Sequence, residues 1–480
     1  NLKVINPSAN KIMYDFYGFE DELYKVQYEI KSEEFATFDL IDKLKAQNID
    51  ISIDESRQSY DHGVWNVLSM LYKNLEIPVI QLSLPISYSL EELVNLTIEN
   101  RLVESSKQNL DALKDEYKSV QRGYLPKLDA GASYSINEHE YPNNPKKRAN
   151  AYGSLNYLLY DGGKKYDIYD GYETNIKSGE KSLDALKNNL SLTVIQYYFD
   201  YLSLEAKKDA KQKEIEQLTA QEDRIGRFYN AGTTTEDELQ KIVSRLQNAI
   251  VELQEIELNI ITITHNLEYI TGTQVSIKDG SKLQDINNLI QKNPRFDIQA
   301  LDFETQSKQS VAQAQKSGYY PTITLDNTFN YYDSNYDNST FKDPNNHQNV
   351  ASANMKWNLF SFGQTKYQYE SKQKEYLASR SNFEYEKNKA DVDLQLALKS
   401  YNIAKAKIKS TEATLKAAQS AYEIIKSKFE NGLIDNVAFL QSLTEKYDAI
   451  SQHKKAINDL EVKKATIIYH SGEKLQEYIR

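Results

Sequence analysis

Six histidines are the residues best suited to metal or acid–base chemistry in this 480-residue chain: His62, His139, His265, His347, His453 and His470. Metal ligands on one helix face recur as in HExxH, and on one strand face as in HxH. Neither pairing occurs, so each histidine is expected at the surface rather than on a metal. Cysteine is absent, which excludes disulfides, thiolate metal sites and lipid attachment through Cys, and fits an oxidising compartment. A net charge of −11 argues against non-specific nucleic-acid binding, which needs a basic surface. No metal and no cofactor is expected. The acids of most interest are Glu236, Asp237, Glu238 and Asp435, each just past a glycine turn and at the start of a helix-forming run. At those places they read as first-turn acids stabilised by the helix dipole.

The elements that position them occur twice. Gly163 pairs with Gly363, Tyr157 with Trp357, Leu159 with Leu359, Gly232 with Gly432, and Gly272 with Gly472, always 200 positions apart. A chain that repeats at a constant offset is two copies of one unit. Each copy starts with a helix-forming run. The first runs from Ser89, an N-cap with a carboxylate three positions on, to about Gln121. Gly123-Tyr124-Leu125-Pro126 ends it, and Gly318-Tyr319-Tyr320-Pro321 ends its counterpart.

Alternating strands follow both prolines. Leu128, Ala130, Ala132, Tyr134 and Ile136 share one face of the first, and Ile323, Leu325, Phe329 and Tyr331 one face of its counterpart. Polar loops lead to returning strands, with Ala151, Gly153, Leu155, Tyr157 and Leu159 on one face, then Ala351, Ala353, Met355, Trp357 and Leu359. Period-2 alternation suits a half-buried sheet, but no short amphipathic helix follows to cover one. Aromatic residues instead gather at the strand ends, among them Tyr157, Tyr160, Trp357 and Phe360, as at a lipid–water interface. No run of about 18 apolar residues exists, so no helix is expected to span a bilayer. Strands in lipid must close on themselves. Four strands are too few, so several chains would share one barrel.

Past Gly163 and Gly363 the chain runs without proline to Tyr229 and to Glu430. Each run would be roughly 100 Å long as a helix, at about 1.5 Å per residue. Each breaks at a tip, Ala231-Gly232-Thr233 and Asn431-Gly432-Leu433. From the first tip, Leu239, Ile242, Leu246, Ala249, Leu253, Ile256, Ile260, Ile263, Leu267 and Ile270 alternate steps of three and four, a coiled-coil seam. The second return (Leu440, Leu443, Tyr447, Ile450) meets Lys454 where the seam needs an apolar residue.

Residues 1–86 stand outside the repeat and hold much of the acidic excess. Phe35 to Ala46 reads as an amphipathic helix, and Ile77 to Leu84 as a buried strand. The first residue is Asn, and no signal peptide follows, so the chain is expected to be processed or a fragment.

In this order and in duplicate, Gly123-to-Pro126, Tyr160-Asp161-Gly162-Gly163, Gly318-to-Pro321, Trp357-to-Phe360 and the two tips resemble the TolC-type outer-membrane efflux and secretion channels, over about 88–472. The resemblance implies a mainly α fold with a small β part. A duplicated long-helix and strand-hairpin unit would build a trimeric α-helical tunnel and a shared 12-stranded β-barrel. It implies a homotrimer in outer-membrane lipid with a periplasmic extension, exporting small molecules or polypeptides by efflux or type I secretion. The chain would do no bond chemistry. A periplasmic adaptor would dock at Ala231, Gly232, Thr233, Asn431, Gly432 and Leu433, and an inner-membrane transporter would join it. Gly163 and Gly363 would mark the junction of barrel and tunnel. Where family members carry entrance aspartates, this chain has Ala438 and Gln441, so by the resemblance Glu236, Asp237, Glu238 and Asp435 would supply an acidic entrance ring instead, the alternative to their being ordinary first-turn acids.

Ile12-to-Phe19, Asp61-His62-Gly63-Val64-Trp65 and Ile77-to-Ser83 resemble the class III extradiol (DOPA-type) ring-opening dioxygenases, whose acid–base histidine His62 would match. The family's metal-binding histidines have no counterpart, and one His cannot hold a metal. The N-terminal α/β stretch is thus either a catalytically dead partial domain or an artefactual gene fusion. The expected organisation is 1–86 dioxygenase-like, 87–280 first channel repeat and 281–480 second repeat. A metal-dependent ring-opening enzyme and a soluble coiled-coil scaffold are the competing functions.

Overall fold

The computed structural model describes residues 2–9, 11–12, 28–30, 33–47, 51–54, 59–60, 62–71, 79–83, 87–286, 294–338, 340–341 and 345–480. The chain divides into two units, Asn1–Tyr88 with Val275–Lys278, and Ser89–Gln274 with Asp279–Arg480.

In the first unit, β1 (Leu2–Ile5) lies between a parallel β3 (Ile51–Asp54) and an antiparallel β5 (Leu82–Ser83). The strands β2 (Lys11–Ile12) and β4 (Ser59–Tyr60) pair, as do β6 (Ser87–Tyr88) and β9 (Ser276–Ile277). The expected helix is α1 (Glu34–Ala46), with Ile41 packed on Val4 and Ile51. His62 opens α2 (His62–Leu71), but its side chain lies outside the described residues, as do Asp61 and Met13 to Phe19. Of the strand expected over Ile77 to Leu84, Leu82 and Ser83 are in β5, while Ile77, Pro78 and Leu84 lie outside the described residues.

The second unit repeats itself in backbone as well as in sequence. Its helices are α3 (Leu90–Ile98), α4 (Arg101–Gly123), α5 (Lys164–Asn230) and α6 (Glu236–Thr271), then α7 (Phe296–Ala314), α8 (Gln364–Glu430) and α9 (Asn436–His470). Both α5 and α8 are 67 residues long. Gly163 and Gly363 precede them at φ of 87° and 85°, and Gly232 and Gly432 turn the tips at 71° and 72°. A side chain at positive φ costs about 1–2 kcal/mol, which explains glycine at these duplicated sites.

The first helical run is not continuous. Ser89 forms the expected capping box with Glu92, but Asn100 restarts the helix. Its Oδ1 accepts from the Val103 amide at 2.9 Å, and its Nδ2 donates to the Ile270 carbonyl at 2.9 Å. A polar side chain that caps and cross-links thus divides a run in which neither Pro nor Gly signals a break.

Close packing along the upper part of α5 relies on small residues. Ser307 on α7 donates to the Gly171 carbonyl and Ser178 donates to the Ala300 carbonyl, both at 2.7 Å. Lower down, Leu218, Ile225, Ile242, Leu246, Tyr422, Phe439 and Leu443 form one core among α5, α6, α8 and α9. None of the ten seam positions of α6 is exposed. The α9 seam is broken at Lys454, which is exposed, and burial resumes at Ala456 and Ala465.

The four long strands, β7 (Lys127–Ile136), β8 (Lys147–Tyr160), β10 (Thr322–Asn335) and β11 (His347–Lys356), form one antiparallel sheet in the order β11-β10-β8-β7. A bulge at Leu159 sets Tyr160, rather than Leu159, opposite Ile323. The second returning strand stops at Lys356, paired with Thr322 at the start of β10. Trp357 and Leu359 were expected to continue it, but no strand residue lies opposite them, and the Trp357 indole donates to the Tyr319 carbonyl at 3.1 Å instead.

Candidate functional site: a two-faced sheet and two helical tips

Over the half of the sheet nearer the helices, strand register separates mainly apolar from mainly polar side chains, with Asn327 a polar exception on the first face and Leu158 and Val350 apolar exceptions on the other. One row pairs Leu128 with Leu155 and another pairs Tyr157 with Leu325 and Ala353, all on one face. The intervening row, Lys127–Asn156–Asp326–Ser352, lies on the other, as does Asp129–Ser154–Thr328. The apolar face is not a buried face: Leu128, Leu155, Phe329 and Met355 are all exposed. Among the described residues, both edge strands, β7 and β11, have a partner on one side only. Water penalises an exposed apolar face, and a free edge is a template for another chain.

At the foot of the sheet the chain turns into the helices. Tyr160, Trp357 and Phe360 are exposed there and Tyr157 is half-buried. Gly162 has φ of 77°, and a Cβ on it would come within 2.7 Å of the Ser317 carbonyl oxygen. Only glycine allows that approach.

The tips share one capping geometry. The Gly232 amide donates to the Tyr229 carbonyl at 2.9 Å and Thr233 to Phe228 at 2.9 Å. Gly432 and Leu433 repeat this with Phe429 and Lys428 at 3.0 and 2.9 Å. These are Schellman caps, which satisfy the last carbonyls of the long helices. Ala231, Gly232, Thr233, Asn431, Gly432 and Leu433 all lie in the exposed turns or at their margins. Arg224 joins the two tips, its guanidinium 5.6 Å from the Phe228 ring and 5.4 Å from the Phe429 ring.

The four acids past the tips have local partners or places. Asp435 is the N-cap of α9, accepting from the Ala438 amide at 2.9 Å. Asp237 and Glu238 both meet Lys241, at 2.7 and 3.1 Å, while Glu236 is exposed at the first position of α6.

A buried charge cluster above the tips escaped the sequence reading. Glu214 on α5 is fully buried and receives Lys211 at 2.6 Å, Thr444 at 3.0 Å and Arg245 at 3.3 Å. Lys211 also meets Glu252 at 2.6 Å. Burial would pull the Lys211 ammonium down, but its hydrogen bonds with Glu214 and Glu252 carry it above the ordinary lysine value. Glu252 is lowered chiefly by its hydrogen bond with Lys211. The residues come from α5, α6 and α9, and no local spacing signals that they meet.

A second cluster corrects the expectation for histidine. His470 is half-buried, and Arg295 donates to its Nδ1 at 3.2 Å while also meeting Asp297 and Asp393. An arginine only donates, so the ring accepts and is neutral. Burial and then the Arg295 charge lower its pKa. His453 is also half-buried, beside the Thr411 hydroxyl. Both face neighbouring helices because α9 is wrapped on several sides. Among the described residues, no group of three or more His, Asp or Glu could hold a metal ion.

The sequence profile described as "Outer membrane efflux protein" matches residues 93–273 and 286–470, once per repeat. The chain belongs to the outer membrane efflux protein family. It is an outer-membrane efflux channel subunit, with strands for the membrane and helices for a periplasmic tunnel. The outer membrane protein TolC of Vibrio cholerae is 20% identical over 377 residues, 75% of this chain and 85% of that protein. The solved CmeC outer-membrane channel of Campylobacter jejuni superposes with a TM-score of 0.72 at 16% identity, covering 80% of this chain and 85% of that one. No described helix is long and apolar enough to cross a membrane, a test that does not bear on strands. A separate, shorter likeness joins 72 residues, 15% of this chain, to the 4,5-DOPA dioxygenase extradiol of Escherichia coli at 32% identity. It spans about a quarter of that enzyme's length, 26%.

Proposed function

We propose that three copies of this chain form one exit duct, pooling their sheets into a 12-stranded barrel and their helices into a tunnel. The duct serves a tripartite efflux pump or a type I secretion system. The observation that carries this reading is the exposed sheet with one mainly apolar face, one mainly polar face and two open edges. In lipid each unsatisfied backbone group costs several kcal/mol. Pairing β7 of one copy with β11 of the next removes both edges, with the apolar face toward lipid and the polar face toward water. Tyr157, Tyr160, Trp357 and Phe360 then lie at the inner boundary of the membrane, and Gly163 and Gly363 at the junction of barrel and tunnel. Helix α8 supports assembly independently, because Leu377, Tyr385, Val392, Leu396 and Ile403 along it are exposed. Copies standing side by side would cover them.

The tips Ala231–Gly232–Thr233 and Asn431–Gly432–Leu433 are the docking points for a periplasmic adaptor, which brings an inner-membrane transporter. Of the four acids, Glu236 is the one best placed to colour the entrance field; Asp237, Glu238 and Asp435 serve the helix starts. Residues 87–280 and 281–480 are the two channel repeats. Residues 1–86 are a separate dioxygenase-like segment without a catalytic role, and the duct performs no bond chemistry.

Photo-crosslinking side chains at Thr233 and Leu433, in cells that also make the cognate adaptor, test the docking. Adducts with the adaptor from both tips, on a chain that migrates as a trimer, are expected. Trimers that give adducts from neither tip would overturn the docking assignment, and a chain that is a monomer in the membrane would overturn the duct.

A further inference from the structure

On the polar face of the sheet, one row reads Gly131–Tyr152–Asn330–Gln348. Glycine within a strand weakens it, and it often marks a place where another group approaches closely. Here that group is the Tyr152 side chain. A Cβ built on Gly131 would meet Tyr152 Cζ and Oη at 2.6 Å and Cε1 at 2.7 Å. Contacts that short do not occur, so the ring occupies the space that any other residue at 131 would claim. Tyr152 therefore leans sideways across β7 instead of standing up from the sheet, where strand side chains ordinarily stand nearly perpendicular. The other glycine of these strands, Gly153, faces the apolar side and has nothing within 4 Å of its Cβ position. The tyrosine–glycine pairing thus belongs to the polar face alone.

We infer that the Gly131–Tyr152 pair sets the width of the barrel lumen at its own level, and so the size of cargo that passes it. This rests on the reading that the polar face lines the pore. An upright tyrosine reaches roughly 6–7 Å from the backbone, whereas one laid on glycine adds little more than a ring's thickness. Three chains would place three such rings at one height, so their posture governs the free cross-section. The next row on the tunnel side, Asp129–Ser154–Thr328–Val350, holds no ring, and the next on the loop side reads Ser133–Asn150–Tyr332. The Tyr332 ring in that loop-side row has the Arg148 guanidinium 5.2 Å from its centre, and Arg148 also reaches the Asn143 carbonyl at 3.1 Å. That ring and its arginine are anchored toward the loops.

The chain has no cysteine of its own, which makes size-graded labelling clean. Asn156→Cys places one thiol on the polar face four residues along β8, about 13 Å along the strand on the tunnel side of Tyr152. Methanethiosulfonates carrying polyethylene glycol of increasing size are applied from the outer face of trimers in sealed proteoliposomes. In the Asn156→Cys parent, large and small reagents are expected to label. Adding Gly131→Val lifts the ring and slows the large reagent severalfold while sparing the small one. Adding Tyr152→Ala to both restores the large reagent, and Tyr152→Ala without Gly131→Val leaves it at least as fast as in the parent. An unchanged large-reagent rate in Gly131→Val, or no recovery with Tyr152→Ala, would overturn the width assignment. If Gly131→Val does not assemble, a Tyr152→Ala trimer that labels more slowly than the parent overturns it alone. A parent thiol closed even to the smallest reagent instead contradicts the pore-lining reading beneath it.

Discussion

Arg245 on α6 donates through Nη2 to the hydroxyl of Thr444 on α9 at 2.5 Å, and both side chains also reach the buried carboxylate of Glu214 on α5. Three helices are therefore tied at a single anion. Lys211, 5% exposed, supplies the nearest positive charge to it. Removing one member of a buried pair leaves the other uncompensated, which costs about 3–5 kcal/mol. In Lys211→Met, Arg245 and Thr444 still reach Glu214, so the denaturant midpoint should fall by an amount at the low end of that range. Lys211→Met with Glu214→Met should recover part of the loss, because the buried charges are gone while Arg245 and Glu252, which lose their partners, are partly exposed to water. Urea titrations of the purified variants measure both.

Beside the second tip, Asn436 is buried and both its amide atoms lack a hydrogen-bond partner among the described residues. Burying an unsatisfied polar group costs about 1–3 kcal/mol. Asn436→Leu, which keeps the branched skeleton without its polar atoms, should stabilise the start of α9 by that order. Amide exchange between Gly432 and Glu445 should slow in the variant.

Gly163 and Gly363 share a left-handed backbone but differ in surroundings. A Cβ at Gly363 would meet Tyr367 Cε2 at 3.2 Å, while nothing lies within 4 Å at Gly163. Alanine at either position carries the backbone strain of about 1–2 kcal/mol, and at Gly363 a crowded ring as well. Gly363→Ala should therefore cost more than Gly163→Ala, read as the difference in unfolding midpoints.

His470 makes stability depend on pH. Its folded pKa lies below its ordinary value, so as pH falls the unfolded chain takes up the proton first. Stability from this group is complete above about pH 6.5 and declines as pH drops from there toward the lowered folded value. The groups facing the ring are Arg295 and Asp297 from the α7 end, Asp393 from α8 and Tyr469 beside it. His470→Gln should remove this share of the slope between pH 7 and pH 5. Unfolding midpoints of the two proteins across that range should converge at the acid end.

The features legible in the sequence were those written in local spacing. The seam from Leu239 to Ile270, the Ser89 cap, the alternation in the strands and the paired glycines each repeat with a short period or a constant offset, and each lies where that pattern placed it. Less legible were features that depend on neighbours distant in sequence. Asn100 divides a helix because it also reaches Ile270. The second returning strand ends at Lys356 because β10 begins at Thr322. Glu214 collects partners from α6 and α9, and His470 is neutral because Arg295 packs on it. Neither Tyr152 nor Gly131 signals that one lies across the other until the register of β7 against β8 is known. The tip acids show both sides: their place at helix starts was plain, but the ties of Asp237 and Glu238 to Lys241 needed the helix to be built.

The central claim is that the sheet is a membrane wall with water on its polar face. Single-channel recording from purified protein in planar lipid bilayers tests it most directly. Discrete, long-lived conductance steps from a detergent-solubilised trimer are the predicted result. A protein that stays monomeric in water without detergent and leaves the bilayer silent at every concentration would contradict it.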